Sequence, residues 1–190
     1  MFKIADRSEA SSVLSGLALG FSADPFMRWL YPDPSAFLAH FPTVMDLFGG
    51  GAFEHGSACR AGDFTAAALW LPPGIHADED KLVAHFERTV APAKHAALFA
   101  TFEQMDHYHP EAPCWHLAFI AVDPARQGKG VGALLLQEGL RQCDHDGMPA
   151  YLESTNPMNL SLYRRFGFEQ MGVIKADQSP PLYPMLRPAR

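Results

Sequence analysis

The chain has 190 residues, of which 48% are hydrophobic and 19% charged, and carries a formal net charge of −6. Its length and balance describe one globular domain, and its acidity argues against a general nucleic-acid binder, which carries a basic footprint. Cys59, Cys114 and Cys143 are widely spaced with no CxxC pair, so they suggest neither a zinc ribbon nor a disulfide framework. They read as reduced, buried thiols. Charge at Lys3, Asp6 and Arg7 comes too early for a signal-peptide core, and no apolar run is long enough to cross a bilayer. The expected location is the cytoplasm, with no membrane partner.

Residues 2–5 read as a short first strand. Asp6 and Glu9 resemble a capping box that opens a helix carrying Ala10, Val13, Leu14, Leu17 and Ala18. Asp24-Pro25 interrupts it, and residues 26–34 are too rich in proline and aromatics for a plain helix. A second helix is expected over residues 35–48, ended by Gly49-Gly50-Gly51. Residues 53–58 and 64–71 then read as strands around a turn at 60–63, and Pro72-Pro73-Gly74 stops the second. Residues 78–89 and 93–105 are helical by pattern.

A strand at 115–122 leads through a glycine turn into a helix at 131–145. A strand at 150–154, a helix at 157–166 and a strand from Phe168 follow. Residues 182–186 read as a last strand whose prolines point to a sheet edge. No repeat, low-complexity tract or linker divides the chain. The expected fold is one α/β (α+β) domain over residues 1–190, with a mixed central sheet of six to seven strands flanked by helices.

The turn Gln127-Gly128-Lys129-Gly130-Val131-Gly132 is the most informative segment. A strand, a glycine turn and a helix start together present unpaired N–H groups and a positive dipole end, which suit phosphate oxygens. Glycines let the backbone approach the anion closely. A P-loop would need a hydroxyl residue after Lys129, where Gly130 stands. A dinucleotide fingerprint belongs in a first βαβ unit with Gly-x-Gly-x-x-Gly spacing, and this turn is late and differently spaced. Spacing weakens that alternative without removing it, because Glu153 lies near the expected acidic position.

Two blocks carry a resemblance to a known superfamily. Gln127-x-x-Gly130-x-Gly132 follows Ile120-Ala121-Val122-Asp123-Pro124, and Leu152-Glu153-Ser154-Thr155-Asn156 precedes Asn159 and Leu162-Tyr163-Arg164-Arg165-Phe166-Gly167-Phe168. This pattern, strongest over residues 109–173, resembles the GNAT N-acetyltransferases. Trp115, the Leu152-Glu153 pair and Asn159 before Tyr163 are similar to the branch containing puromycin acetyltransferase.

The resemblance implies acetyl-CoA as cosubstrate, with no metal. Backbone groups of Gly128, Lys129, Gly130, Val131, Gly132 and Ala133 would hold its pyrophosphate beside Gln127, with the Lys129 side chain either adding charge or facing solvent. The main chain of Ile120, Ala121 and Val122 would bond the pantetheine arm, which requires that strand to be splayed from its neighbour. Asn156 and Asn159 would complete the cofactor wall, and Asn156-Pro157 supplies an N-cap and a first-turn proline. Tyr163, one turn beyond Asn159, would protonate the departing thiolate; its alternative is a packed ring with one hydrogen bond. Glu153 is the best-placed carboxylate to take the amine's proton, and equally to anchor the amine or pair with a basic neighbour.

The implied reaction is acetyl transfer to the primary amine of a small molecule by direct attack in a ternary complex. A non-catalytic acyl-CoA-binding module is the alternative. Asp24, Phe26, Trp29 and Trp70 are candidate acceptor walls, against the commoner role of aromatics as core. A homodimer stays open. His107 and His109 have alternate spacing without a third ligand, His116 is expected to be buried with one hydrogen bond, and Asp144-His145-Asp146 reads as a solvated helix end.

Overall fold

Short apolar segments alternating with amphipathic ones assemble into one mixed sheet between two helical layers. The computed structural model describes residues 2–190. Strands β1 (Phe2–Ile4), β2 (Ala58–Ala61) and β3 (Ala66–Leu71) are joined through helices α1 (Ala10–Gly20), α2 (Pro25–Leu30), α3 (Pro34–Gly49) and α4 (Gly51–Glu54). Helices α5 (Glu79–Thr89) and α6 (His95–Tyr108) precede β4 (Trp115–Val122), α7 (Val131–His145) and β5 (Ala150–Ser154). Helix α8 (Leu160–Arg165), β6 (Glu169–Gln170) and β7 (Tyr183–Arg187) complete the chain. The sheet order is β1-β2-β3-β4-β5-β7-β6, and every pairing is antiparallel except β4 with β5.

The period of two along β3 separates two cores. Ala67, Leu69 and Leu71 pack with Leu17, Phe41, Met45, Phe86 and Leu98 of α1, α3, α5 and α6. Ala68 and Trp70 pack with Leu135, Leu136, Leu140 and Tyr163 of α7 and α8. Strand β4 breaks this alternation. Leu69 pairs with Phe119 and Trp70 with Leu117, so Ala118 is an extra residue, a bulge that bends the strand. Ala118 and Phe119 consequently both join the first core, while Leu117 and Ile120 lie with the second.

Several local expectations are corrected. Gly50 does not end the helical path: it keeps right-handed angles (φ −65°, ψ −22°), and the Phe53 N–H donates to its carbonyl at 3.0 Å. Residues 51–54 are therefore helix α4, tied back by Arg7, which pairs with both Asp46 and Glu54, and β2 starts only at Ala58. The proline-rich stretch after Asp24 holds helix α2, because Asp24 and Pro25 together make a capped helix start. The capping box does not close, since the Glu9 carboxylate pairs with buried Arg60 instead. Helix α6 begins two residues later than expected, after a 3₁₀ turn at Pro92–Lys94, and runs on to Tyr108. Strand β7 is interior, not an edge. Pro184 stands opposite Glu153 of β5, and its carbonyl accepts from the Met171 N–H at 2.9 Å, just past the two-residue β6. Among the described residues no helix is long and apolar enough to cross a membrane.

Candidate active site

Strands β4 and β5 pair only at Trp115–Ala150 and His116–Tyr151, then part. A parallel pair that stops pairing leaves main-chain donors and acceptors facing the gap, and these demand partners. Residues 117–122 on one branch and Leu152, Glu153 and Ser154 on the other line a cavity of about 680 Å³. The splay that a pantetheine-binding strand requires is present.

At one end of this cavity stands the glycine turn. Gly128 and Gly130 have φ of +75° and +79°, a region that side chains with a Cβ rarely enter. Helix α7 then starts at Val131 with no side-chain cap and no acidic residue in its first turn. Its leading N–H groups are unmasked, with the positive end of a 15-residue dipole behind them. The Gln127 side chain donates to the Val122 carbonyl at 2.9 Å and so braces the turn against the end of β4. Gln127, Gly128, Gly130, Val131, Gly132 and Ala133 all border the cavity. Lys129 does not: it is exposed, its Nζ 3.4 Å from the Ala125 carbonyl. The cationic side chains on the wall are Arg126 and Arg165, which sequence reasoning missed although Arg126 directly precedes the motif.

The opposite wall is built on α8. Asn156 accepts from the Met158 N–H at 3.0 Å and caps a 3₁₀ turn, Pro157–Asn159, that feeds into α8. Asn156, Asn159 and Tyr163 all line the cavity, and Tyr163 is buried. Burial, followed by the nearby Asp24 charge, pushes its phenol well above the ordinary value. Asp24 and Phe26 reach the same cavity. The Asp24 carboxylate is already engaged: Oδ1 accepts from the Phe26 and Met27 N–H groups, each at 3.0 Å, and Oδ2 accepts from the Thr155 hydroxyl at 2.5 Å. Burial raises its pKa against those bonds. Asp24 therefore ties α2 to the β5–α8 loop and forms a wall more than an open anion.

Glu153 sits at the fork, its side chain only 6% exposed, with Oε2 2.8 Å from His116 Nε2. Of its three sequence readings, the pairing with a basic neighbour is realised, and it leaves Oε1 for other donors. The Tyr151 hydroxyl is buried close to Glu153, and burial, then the Glu153 charge, raises its pKa. The ring of His109 packs against His116 and Tyr151, with centroids 5.6 and 5.1 Å apart. Burial, then the neighbouring His116, lowers the His109 pKa. Exposed His107 does not join it, and no metal-binding cluster of three such groups occurs among the described residues.

Two proposed acceptor walls lie elsewhere. Trp70 is buried under α7, where a Cβ on Gly139 would fall 2.0 Å from its Nε1, so it belongs to the second core. Trp29 packs on Phe26 at 5.4 Å with the Lys94 ammonium over its ring, outside the cavity. The end of α7 is also more than a solvated terminus: Asp146 accepts from the Trp115 indole at 2.9 Å, and Asp144 pairs with buried Arg187 at 2.7 Å. All three cysteines are buried thiols. Burial pushes Cys59 and Cys114 up to about 11 and Cys143 up to about 12, which leaves no thiolate nucleophile near neutral pH.

Comparison with known proteins agrees with this geometry. The chain is 25% identical over 152 residues to an uncharacterized N-acetyltransferase of Schizosaccharomyces pombe, covering 70% of this chain and 60% of that one. The chain thus spans less than two thirds of the length of this curated relative. Among solved structures, the histone acetyltransferase HPA2 and related acetyltransferase from Corynebacterium glutamicum superposes with a TM-score of 0.69 at 24% identity, over 100% of this chain and 96% of that one. The Drosophila melanogaster polyamine N-acetyltransferase, described as forming N-acetylagmatine, gives 0.67 at 13% identity over 98% of each. These structural likenesses establish the fold. The sequence profile of the Acetyltransferase (GNAT) family matches residues 65–168, more than half of the chain and all of the glycine turn, fork and Tyr163 helix, so the chain belongs to that family.

Proposed function

We propose that the chain is an acetyl-CoA-dependent N-acetyltransferase acting on the primary amine of a small molecule, by direct attack within a ternary complex. One observation carries this reading: a single cavity joins an uncapped helix start at one end to Tyr163 and Glu153 at the other. The helix start and Arg126 suit a pyrophosphate. The unpaired edge of β4 suits an amide-bearing arm laid along it as an extra strand. The Drosophila relative named as a polyamine N-acetyltransferase supports a small amine as acceptor.

In this reading the amine loses a proton to Glu153, directly or through water, because only the neutral amine has a lone pair to give. The nitrogen attacks the thioester carbonyl carbon, the C–S bond breaks, and the sulfur leaves with the bonding pair. Tyr163 supplies the proton that makes this sulfur a thiol, and the second proton, shed by the attacking nitrogen as it becomes the amide, restores the phenol. Its raised pKa keeps the phenol protonated throughout the neutral range. That shift also makes it a reluctant acid, so its first contribution is a hydrogen bond to the developing thiolate. The same apolar surroundings make a localised thiolate more basic, which brings donor and acceptor closer in strength. His116 donates to Glu153 and acts as a positioning residue. None of the steps needs an acyl-enzyme, and no cysteine is activated to form one.

Release of CoA thiol from acetyl-CoA across a panel of amines tests the reading. Amine-dependent release with formation of the N-acetyl product is expected. Tight CoA binding without any such release would instead identify a binding module.

A further inference from the structure

A second cavity, of about 350 Å³, opens from the fork on the side of α5 and α6. Phe48, Phe86, Phe102, Met105 and Glu153 border both cavities, so the two meet at Glu153. Beyond that junction the walls are Leu82, Phe99 and the same phenylalanine rings, with His76 and His109. We infer that this second cavity holds the body of the acceptor, and that it selects a primary amine carried on an aromatic or similarly flat apolar group. This inference rests on the N-acetyltransferase reading above.

The placement follows from charge. Glu153 is the one carboxylate on this cavity whose side chain is nearly inaccessible, while Glu79 and Asp106 are exposed at its rim. An ammonium therefore seats at the inner end, beside the gap where a thioester would lie. The remainder of the molecule then points away from the fork, into the ring-lined space. A second ammonium on a flexible polyamine would sit there among rings and imidazoles with no buried carboxylate to meet it. A cation–π contact supplies about 1 kcal/mol, far less than the cost of desolvating an unpaired ammonium. An aryl group meets no such penalty, and edge-to-face contact with the rings favours it.

The test measures thiol release at saturating acetyl-CoA with 2-phenylethylamine, n-butylamine and putrescine. The expected order places 2-phenylethylamine about tenfold or more above the other two in kcat/KM, the usual scale for filling an apolar pocket. Phe99→Ala touches only the second cavity and should raise KM for 2-phenylethylamine about tenfold while leaving KM for acetyl-CoA unchanged. Should that variant fold poorly, Val83→Trp, at a 41% exposed position on the rim, should narrow the cavity with the same kinetic signature. If putrescine or n-butylamine turns over as well as 2-phenylethylamine, the aromatic class is wrong and the N-acetyltransferase reading stands. If none of the three supports thiol release while calorimetry shows CoA bound, the underlying reading falls and this inference with it.

Discussion

His116 Nε2 lies 2.8 Å from Glu153 Oε2, across the point where β4 and β5 cease to pair. The bond fixes the carboxylate at the mouth of the fork, where a free side chain would have several rotamers. Glu153→Gln should lower kcat/KM for the amine by about 10²–10⁴-fold at neutral pH, with KM for acetyl-CoA unchanged. The deficit should shrink toward pH 10, where the amine sheds its own proton. His116→Phe should give a smaller loss that His116→Gln, which keeps a donor, partly restores. A Glu153→Gln deficit that persists unchanged at pH 10 would remove the base role.

Tyr163 and Asp24 form the second coupled pair. Tyr163→Phe should reduce kcat by about 10²-fold while acetyl-CoA affinity stays within about twofold. Asp24→Asn keeps the Oδ1 acceptor for the α2 N–H groups but deletes the negative charge that adds to burial in raising the phenol's pKa. Removing an anion makes a phenolate easier to form, so the alkaline limb of the kcat profile should move to lower pH. An alkaline limb that does not move in Asp24→Asn would show that the limb belongs to another group.

The glycine turn predicts a separable effect on cosubstrate affinity. Gly130→Ala forces a Cβ into the left-handed region at φ +79°, at a cost of about 1–2 kcal/mol. Because Gly130 is the residue just before α7, a change in its angles shifts the first N–H groups of that helix. CoA affinity measured by calorimetry should fall at least tenfold, with KM for the amine little changed. Equal affinities in the variant and the parent would detach this turn from phosphate binding.

Much of the second half was legible because its signals are local. The Gln127–Gly132 turn, the Asn156-Pro157 cap and the Tyr163 helix are each written within a few consecutive residues, and the structure brings them to one cavity. The first half failed where the deciding partner is distant in sequence. Gly50 stays helical beside an α3–α4 junction clamped by Arg7, and Glu9 abandons its capping role for Arg60, 51 residues away. Trp70 looked like a cavity wall because it ends a strand near the site. Its destination was set by the period of two along β3, which turns Trp70 to the α7 side with Ala68, and by the distant Gly139, which leaves room there for the indole. The second cavity was illegible for the same reason, being assembled from α3, α5, α6, β4 and β5.

The Trp70 placement makes its own prediction. Gly139→Ala would put a methyl 2.0 Å from Trp70 Nε1, between a strand and a helix that cannot both yield. Overpacking of this kind costs about 1–3 kcal/mol. Denaturant unfolding should report that loss with no change in KM for the amine. A raised amine KM at unchanged stability would return Trp70 to the acceptor site.

His85 sets the expected pH dependence of stability. Burial, followed by the charges of His40 and Arg88, lowers its pKa, and its Nε2 is buried without a hydrogen-bond partner. A base with a folded pKa below its unfolded value binds more protons when unfolded, so stability rises with pH through that window and is lost as pH falls below about 6.5. His109 acts in the same sense, whereas Asp24, with a raised pKa, acts in the opposite one. The informative quantity is therefore the difference between parent and variant, not the raw slope. His85→Leu should narrow the gap in Tm between pH 7.5 and pH 5.5, chiefly by preserving stability on the acid side. If the gap stays the same or widens in His85→Leu, protonation of this buried imidazole is not a source of acid instability.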